Sequence, residues 1–323
     1  MKLSQLFWMK KVFLAILFIV TVDVTAQFDA QISQYWTTKS YFNPAAAGSD
    51  GRAKASFLDR QQWVGMPGAP KSVCIGLDLP VTIFGKSQGV GITGFSDNIG
   101  LFNNESLTLD YAFRFNKLGG TFAIGAKFGF LSMGFDGSSS FWGDFKSGVY
   151  SKDDPAVPTT IVQANAMDLG FGAYYSKDKF YTGISVSHAL NPTLDLDAKS
   201  TIFVGKIAYW TAGYEMPIEG SNIAILPSFL YKTDFFVSQL DLTLRGELDK
   251  KFWGGISYRW NNAVVLMFGA RVNDISIGYS YDISTSKLFS VTSGSHEVFV
   301  NYSFDFVLQG KNQRKISKSV RYL

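Results

Sequence analysis

The stretch that decides the fold is Glu297-Val298-Phe299-Val300-Asn301-Tyr302-Ser303-Phe304-Asp305-Phe306. Successive side chains of a strand point to opposite sides. Val298, Val300, Tyr302, Phe304 and Phe306 therefore share one face, while Glu297, Phe299, Asn301, Ser303 and Asp305 share the other. The preceding run repeats the rhythm: Ile275, Ile277, Tyr279, Tyr281 and Ile283 alternate with Asp274, Ser276, Gly278, Ser280 and Asp282. Working back to residue 51, runs of about ten residues alternate in this way, separated by Gly, Asn, Asp, Ser, Pro or Lys. They predict strands near 52–61, 70–80, 87–96, 104–115, 120–133, 161–175, 179–189, 200–216, 222–232, 236–248, 251–260, 263–272, 274–283 and 296–306.

A soluble sandwich could show the same alternation, so the surroundings must be read from composition and from the chain's start. Aromatic residues make up 16% of the chain and charged residues 17%, against roughly 25% charged in a typical soluble domain. Beyond the first thirty residues every apolar stretch is broken well short of the roughly 20 residues that a spanning helix requires. If the chain crosses a bilayer it does so with strands, and unpaired backbone is not tolerated in lipid, so the strands must close into a barrel. The expected fold is all-β: a transmembrane antiparallel barrel of about fourteen strands, an even number that returns both ends to one side. Short connections at 81–86, 116–119, 176–178, 217–221, 249–250 and Asn273 would face the periplasm. Those at 62–69, 97–103, 134–160, 190–199, 233–235, 261–262 and 284–295 would face outward.

The N-terminus supplies the compartment. Lys2, Lys10 and Lys11 precede the apolar core Val12 to Val20, and Thr25-Ala26 form a small-residue exit, so residues 1–26 read as a cleaved signal peptide; an uncleaved helical anchor is the alternative. Removing them leaves 27 basic against 25 acidic residues, a mature charge of +2. That excess is too small to argue for a nucleic-acid partner. Residues 27–50 form an N-terminal periplasmic or plug segment, residues 51–306 the barrel, and residues 307–323 a basic periplasmic tail. The single Cys74 offers no internal disulfide.

Inward faces carry Asp110, Arg114, Asp241, Arg245, Glu247, Arg259, Arg271 and Asp282, whose mixed signs suggest mutual pairing rather than a selectivity filter. His188 and His296 are the two histidines. Ser295-His296-Glu297 cannot form a local relay because neighbours on a strand face opposite ways. Ser295 and Glu297 would instead fix the rim of the last strand. No phosphate loop, clustered metal ligands or calcium loop is present, so no catalytic residue, cofactor or metal is expected. Trp63, Met66, Pro67, Phe102, Phe141, Trp142 and Phe145 lie where either a binding mouth or the interfacial aromatic girdle would place them.

Ser33-Gln34-Tyr35, Tyr41-Phe42-Asn43-Pro44-Ala45 through Gly48, Arg60-Gln61-Gln62-Trp63-Val64-Gly65 and Gly68-Ala69-Pro70 form a recurring set. Tyr258-Arg259-Trp260-Asn261, Gly278 to Asp282 and Ser293 to Glu297 complete it. In this order they resemble the PorP/SprF family of the Bacteroidetes type IX secretion system. The resemblance implies a non-enzymatic outer-membrane barrel of the secretion and gliding machinery, supporting export or surface attachment of large adhesins. It singles out Asn43, Pro44, Gly48, Arg60, Gln62, Trp63, His296 and Glu297 without assigning their roles. Expected partners are outer-membrane lipid, periplasmic components of the machinery and a large secreted adhesin. The competing reading is a diffusion channel or hydrophobic-solute transporter.

Overall fold

The computed structural model describes residues 29–83, 85–138, 158–197 and 200–306, with the backbone of 308–309. The expected leader, Phe141, Trp142, Phe145 and nearly all of the basic tail lie outside the described residues. Among those described, fourteen strands form the wall of a closed antiparallel barrel. They are β1 (Ala53–Gln61), β2 (Lys71–Ile83), β3 (Lys86–Ile99), β4 (Phe102–Lys117), β5 (Gly120–Asp136), β6 (Ile161–Lys177) and β7 (Phe180–Ser187). The wall continues with β8 (Ile207–Tyr214), β9 (Ile223–Thr233), β10 (Ser238–Leu248), β11 (Phe252–Arg259), β12 (Ala263–Val272), β13 (Ile275–Ser284) and β14 (Ser295–Phe304). Each strand pairs with its sequence neighbours. Closure comes from β1, which pairs with β2 on one side and with β14 on the other, setting Arg60 opposite Glu297 and Gln61 opposite His296.

The tight turns take a left-handed backbone, at little cost at Gly, Asn and Asp and against preference at Leu118 and Lys250. Leu118 and Gly119 both have positive φ, as do Asp249 and Lys250, the pattern of tight hairpins that follow strand twist. Asn273 at φ 53° makes the expected bend. Two boundaries move. Residues 97–103 are not a loop, because β3 and β4 run on to a two-residue turn at Gly100-Leu101. The run 200–216 enters the wall only at Ile207; Thr201–Phe203 pairs instead with Thr193–Asp195 as a separate hairpin.

Outward positions are apolar where lipid would meet them: Leu107, Leu109 and Tyr111 on β4, Ile124, Phe128 and Phe130 on β5, Leu242 and Leu244 on β10. At the turn end Phe115, Phe122 and Tyr175 of three adjacent strands lie ring against ring, 5.9 and 4.6 Å between centroids, as an interfacial girdle does. Beyond residue 130 the phase of β5 inverts. Leu131, Met133 and Phe135 point inward and are buried, packing with Ala164, Leu194, Leu196 and Val204, while Ser132 and Asp136 face out. A strand that stands in water buries its apolar side inward, so the loop ends of β5 and β6 project beyond the lipid.

Part of the chain lies in the lumen. Residues 29–50 run through it in short helical turns at Tyr35–Thr37, Lys39–Phe42 and Pro44–Ala46. Ile32, Tyr35 and Phe42 pack on the inward Leu58, Tyr209, Leu230 and Phe299. The inward face is therefore less polar than the expected alternation of lipid-facing apolar and lumen-facing polar residues. The reason is local: it faces another segment of chain rather than water.

Candidate functional site

The site grows from where β1 meets β14. Arg60, Asp282 of β13, Glu297 of β14, Arg259 of β11 and Asp241 of β10 occupy inward positions on neighbouring strands, and each is at most 2% exposed. Arg60 donates to Asp282 at 2.8 Å and to Glu297 at 3.2 Å. Arg259 donates to Asp241 at 3.0 Å and to Asp282 at 2.9 Å. Ser33 sits at the centre: its hydroxyl donates to Asp282 and accepts from both Arg60 and Arg259 at 2.9 Å. The Glu297 carboxylate accepts the backbone N–H groups of Ser33 and Gln34 at 2.7 and 2.8 Å. Five charges are thus locked to each other and to the lumen segment. Ion pairs so deeply desolvated lend little net stability, yet removing one partner strands the others.

A second anchorage lies on the opposite wall. Asn43 caps the turn Pro44–Ala46, accepting from the Ala45 N–H at 2.9 Å, while its amide donates to the carbonyls of Ala173 on β6 and Ile184 on β7 at 3.0 and 3.2 Å. Gly172 and Gly183 make this approach possible, since a Cβ at either position would collide with the Asn43 amide. Gly48 turns the chain with φ +64°, and Arg114 of β4 donates to its carbonyl at 2.8 Å and to that of Ala47. Arg245 lies 4.1 Å over the Trp36 ring.

A third contact holds the start of the segment. His188, just after β7, stands between Asp29 and Asp168 of β6, 3.1 Å from each, and the Tyr209 hydroxyl donates to Asp29. Burial by itself would raise the Asp29 carboxyl and lower the His188 imidazole. The facing charges outweigh it, holding Asp29 at about 2 and His188 at about 10.

The eight residues singled out in the sequence therefore divide four ways. Arg60 and Glu297 belong to the buried ion network, and Asn43, Pro44 and Gly48 to the lumen segment. Gln62 and Trp63 brace the loop after β1, the Gln62 N–H reaching the Pro70 carbonyl at 2.9 Å and the Trp63 N–H the Ser295 hydroxyl at 3.1 Å. His296 points the other way, its Nδ1 2.7 Å from the Tyr279 hydroxyl on the outer face. Glu297 does not fix the rim, as its sequence position suggested: it grips the lumen segment, and Ser295 alone serves the rim. Sequence reasoning found the inward charges and placed Ser33 in a recurring motif, but not that Ser33 links those charges, nor Asp29, whose partner His188 lies 159 positions away.

The fourteen-strand wall and these residues bear on kinship. The model of the type IX secretion system membrane protein family PorP/SprF matches residues 24–302. The chain belongs to the PorP/SprF family. As a PorP/SprF protein it is a membrane protein of the type IX secretion system, and it is located in the outer membrane. No curated protein matches it. Among solved structures it is similar to the Pseudomonas putida toluene transporter TodX, at 10% identity over 83% of this chain and 93% of that one, with a TM-score of 0.46. It is also similar to a Pseudomonas aeruginosa FadL homologue, at 12% identity over 82% of this chain and 93% of that one, with a TM-score of 0.45. These likenesses concern the fold.

Proposed function

We propose that this PorP/SprF protein is a plugged, non-enzymatic scaffold that supports export or surface attachment of secreted proteins such as large adhesins. The observation that carries the reading is the lumen segment, bonded to β1, β4, β6, β7, β11, β13 and β14 at once. A solute channel needs a continuous wet path. Here the middle of the barrel holds aromatic packing and an ion network instead. With both ends of the strand wall, Ala53 and Phe304, on the short-turn side, that side faces the periplasm and offers its turns to the periplasmic components of the machinery. The longer loops face the cell surface, where an exported protein would be met.

Two experiments test this. Deleting the gene and profiling surface proteins should show loss of one or more large adhesins from the cell surface; unchanged export and attachment would sink the proposal. Purified protein in a planar bilayer should be electrically silent, whereas a steady open-channel current would favour the diffusion-channel reading.

A further inference from the structure

The lumen segment runs in one direction, and its anchors mark the route. Asp29 is held by His188, the residue that follows the loop end of β7, and by Tyr209. It also lines a cavity of about 50 Å3 with Asn104, Met133 and Leu194, near the loop ends of β4 and β5. Gln31 accepts at 3.1 Å from Lys232, the last residue but one of β9 at its loop end. Ser33 and Gln34 donate to Glu297, the third residue of β14. Asn43 bonds Ala173 and Ile184 within the wall, and Ala47 and Gly48 meet Arg114, three residues before β4 ends at its turn. Arg52 then donates to Asp274 and Asp305 at 2.8 Å each, on the turn side. Chain order and depth agree at every step: residue 29 stands at the loop end and residue 52 at the turn end.

Exposure changes along the same line. Ile32 to Tyr35 are at most 2% exposed, whereas residues 29–31 are half-buried. Two residues of extended chain reach about 7 Å. The eight residues of β7 measure roughly 26 Å at about 3.3 Å per residue. Whatever precedes Asp29 by a residue or two therefore stays at the loop end, which faces the cell surface. Residues 1–26, with Lys2, Lys10 and Lys11 ahead of the apolar core Val12 to Val20, belong elsewhere. An uncleaved anchor sits in the membrane from which the chain is exported, on the periplasmic side of this wall. The two placements exclude each other: with the leader attached, either residues 29–34 give up their anchors or the apolar core stands in water outside the cell.

We propose that the amino terminus made by removal of residues 1–26 stands at the cell-surface mouth of the barrel, open to water, and that its removal precedes closure of the wall around residues 29–50. Hydrolysis of the Ala26–Gln27 bond by an endopeptidase takes up one water, leaves a carboxylate on Ala26 and an amino group on Gln27, and frees the new end to enter the forming lumen. This placement follows from the orientation of the wall and is independent of the secretion role.

The test uses the full chain in its own cells and a membrane-impermeant maleimide. Cys74 is 1% exposed, so the parent chain should give no labelling. Phe28→Cys should be labelled on intact cells as fast as Asn262→Cys, an exposed position between β11 and β12 at the loop end. Lys179→Cys, exposed just before β7 on the turn side, should react only after the outer membrane is opened. Mass spectrometry of the labelled protein should find its first peptide beginning at Gln27. Labelling of Phe28→Cys only after opening, or only after unfolding, overturns the placement, and so does a labelled chain that retains residues 1–26. An epitope inserted between Gln27 and Phe28 and read by antibody on intact cells decides the matter if Phe28→Cys fails to accumulate. A reversed pattern at the two reference positions overturns the orientation itself, whereas surface-protein profiling reads the secretion role separately. Blocking cleavage tests the order of events. Ala26→Arg removes the small residue that the cut requires, and the uncut precursor should lose the heat-modifiable electrophoretic mobility of a closed barrel. An uncut precursor that still forms such a barrel in the outer membrane overturns the order.

Discussion

Strands β4, β5 and β6 run 16, 17 and 17 residues, whereas β10 to β14 run 8 to 11. A tilted strand crosses the hydrocarbon layer in about 9–11 residues, so the short sector is all membrane wall and the long sector has several residues to spare. Alternation keeps one phase through the short sector. In the long sector it flips where the lipid ends, with Phe128 and Phe130 facing out but Leu131 and Met133 facing in. The inward charges differ in how they are tied: Asp241, Arg259, Asp282 and Glu297 of the short sector join one network with Arg60 and Ser33, while in the long sector Asp110 has neither oxygen met and Asp168 only one; the short sector keeps unmet atoms of its own in Arg245 Nε, Ser280 Oγ and Asn301 Oδ1. Apolar residues thus report the nearest apolar medium, be it lipid, the lumen segment or a capping hairpin, and not a fixed side of the wall.

The sharpest way to break the contrast is to unpair the short sector. Arg60→Ala leaves Asp282 and Glu297 buried with reduced compensation, and should cost about 3–5 kcal/mol in denaturant unfolding of the folded barrel. Next comes a pair of substitutions on one face of β5. Phe128→Arg places a charge in lipid and should cost about 2–4 kcal/mol; Ser132→Arg, four residues along, should change stability by no more than about 0.5 kcal/mol. Equal costs at the two positions would contradict a lipid boundary between them.

A smaller effect is expected at the lumen segment. Asn43→Ala removes a turn cap and two bonds to the wall, and should cost about 1–2 kcal/mol, read as faster cleavage of residues 29–50 by added protease. The smallest is a pH dependence from the Asp29–His188 pair. Because His188 is raised from its ordinary 6.5 to about 10, its contribution is complete below the first value and is lost as pH rises through the second. Because Asp29 is lowered from 3.8 to about 2, its contribution holds above the first value and is lost as pH falls through the second. Protection of the amides of residues 29–34, taken relative to the intrinsic exchange rate at each pH, should therefore be greatest between these limits and fall toward pH 10. Asp29→Asn should flatten that alkaline fall.

The barrel and its fourteen strands were legible because alternation and turn residues are local properties. Reading of the site went only part way. Arg259, Asp282 and Glu297 stand out as charges in the inward phase, and Leu58, Leu230 and Phe299 as apolar residues in that same phase. Together such positions signal that something other than water fills the lumen, but no local pattern says what. Ser33 stands in a family motif that says nothing of its partners, and Asp29 carries no signal of its own, since an aspartate in a polar segment is ordinary until its partner is known.

By itself, then, the sequence determined that the chain crosses the outer membrane as a strand cylinder, since the two-residue period and the absence of long apolar runs depend only on neighbours along the chain. The tertiary structure alone decided that residues 29–50 pack against the inward faces of the wall, that Ser33 joins Arg60, Arg259 and Asp282, and that the apolar face of β5 switches sides at the lipid edge. The physical reason is separation. Ser33 and Asp282 lie 249 positions apart, and such contacts are set by which strands become neighbours when the sheet curls shut, a condition no single stretch of chain encodes.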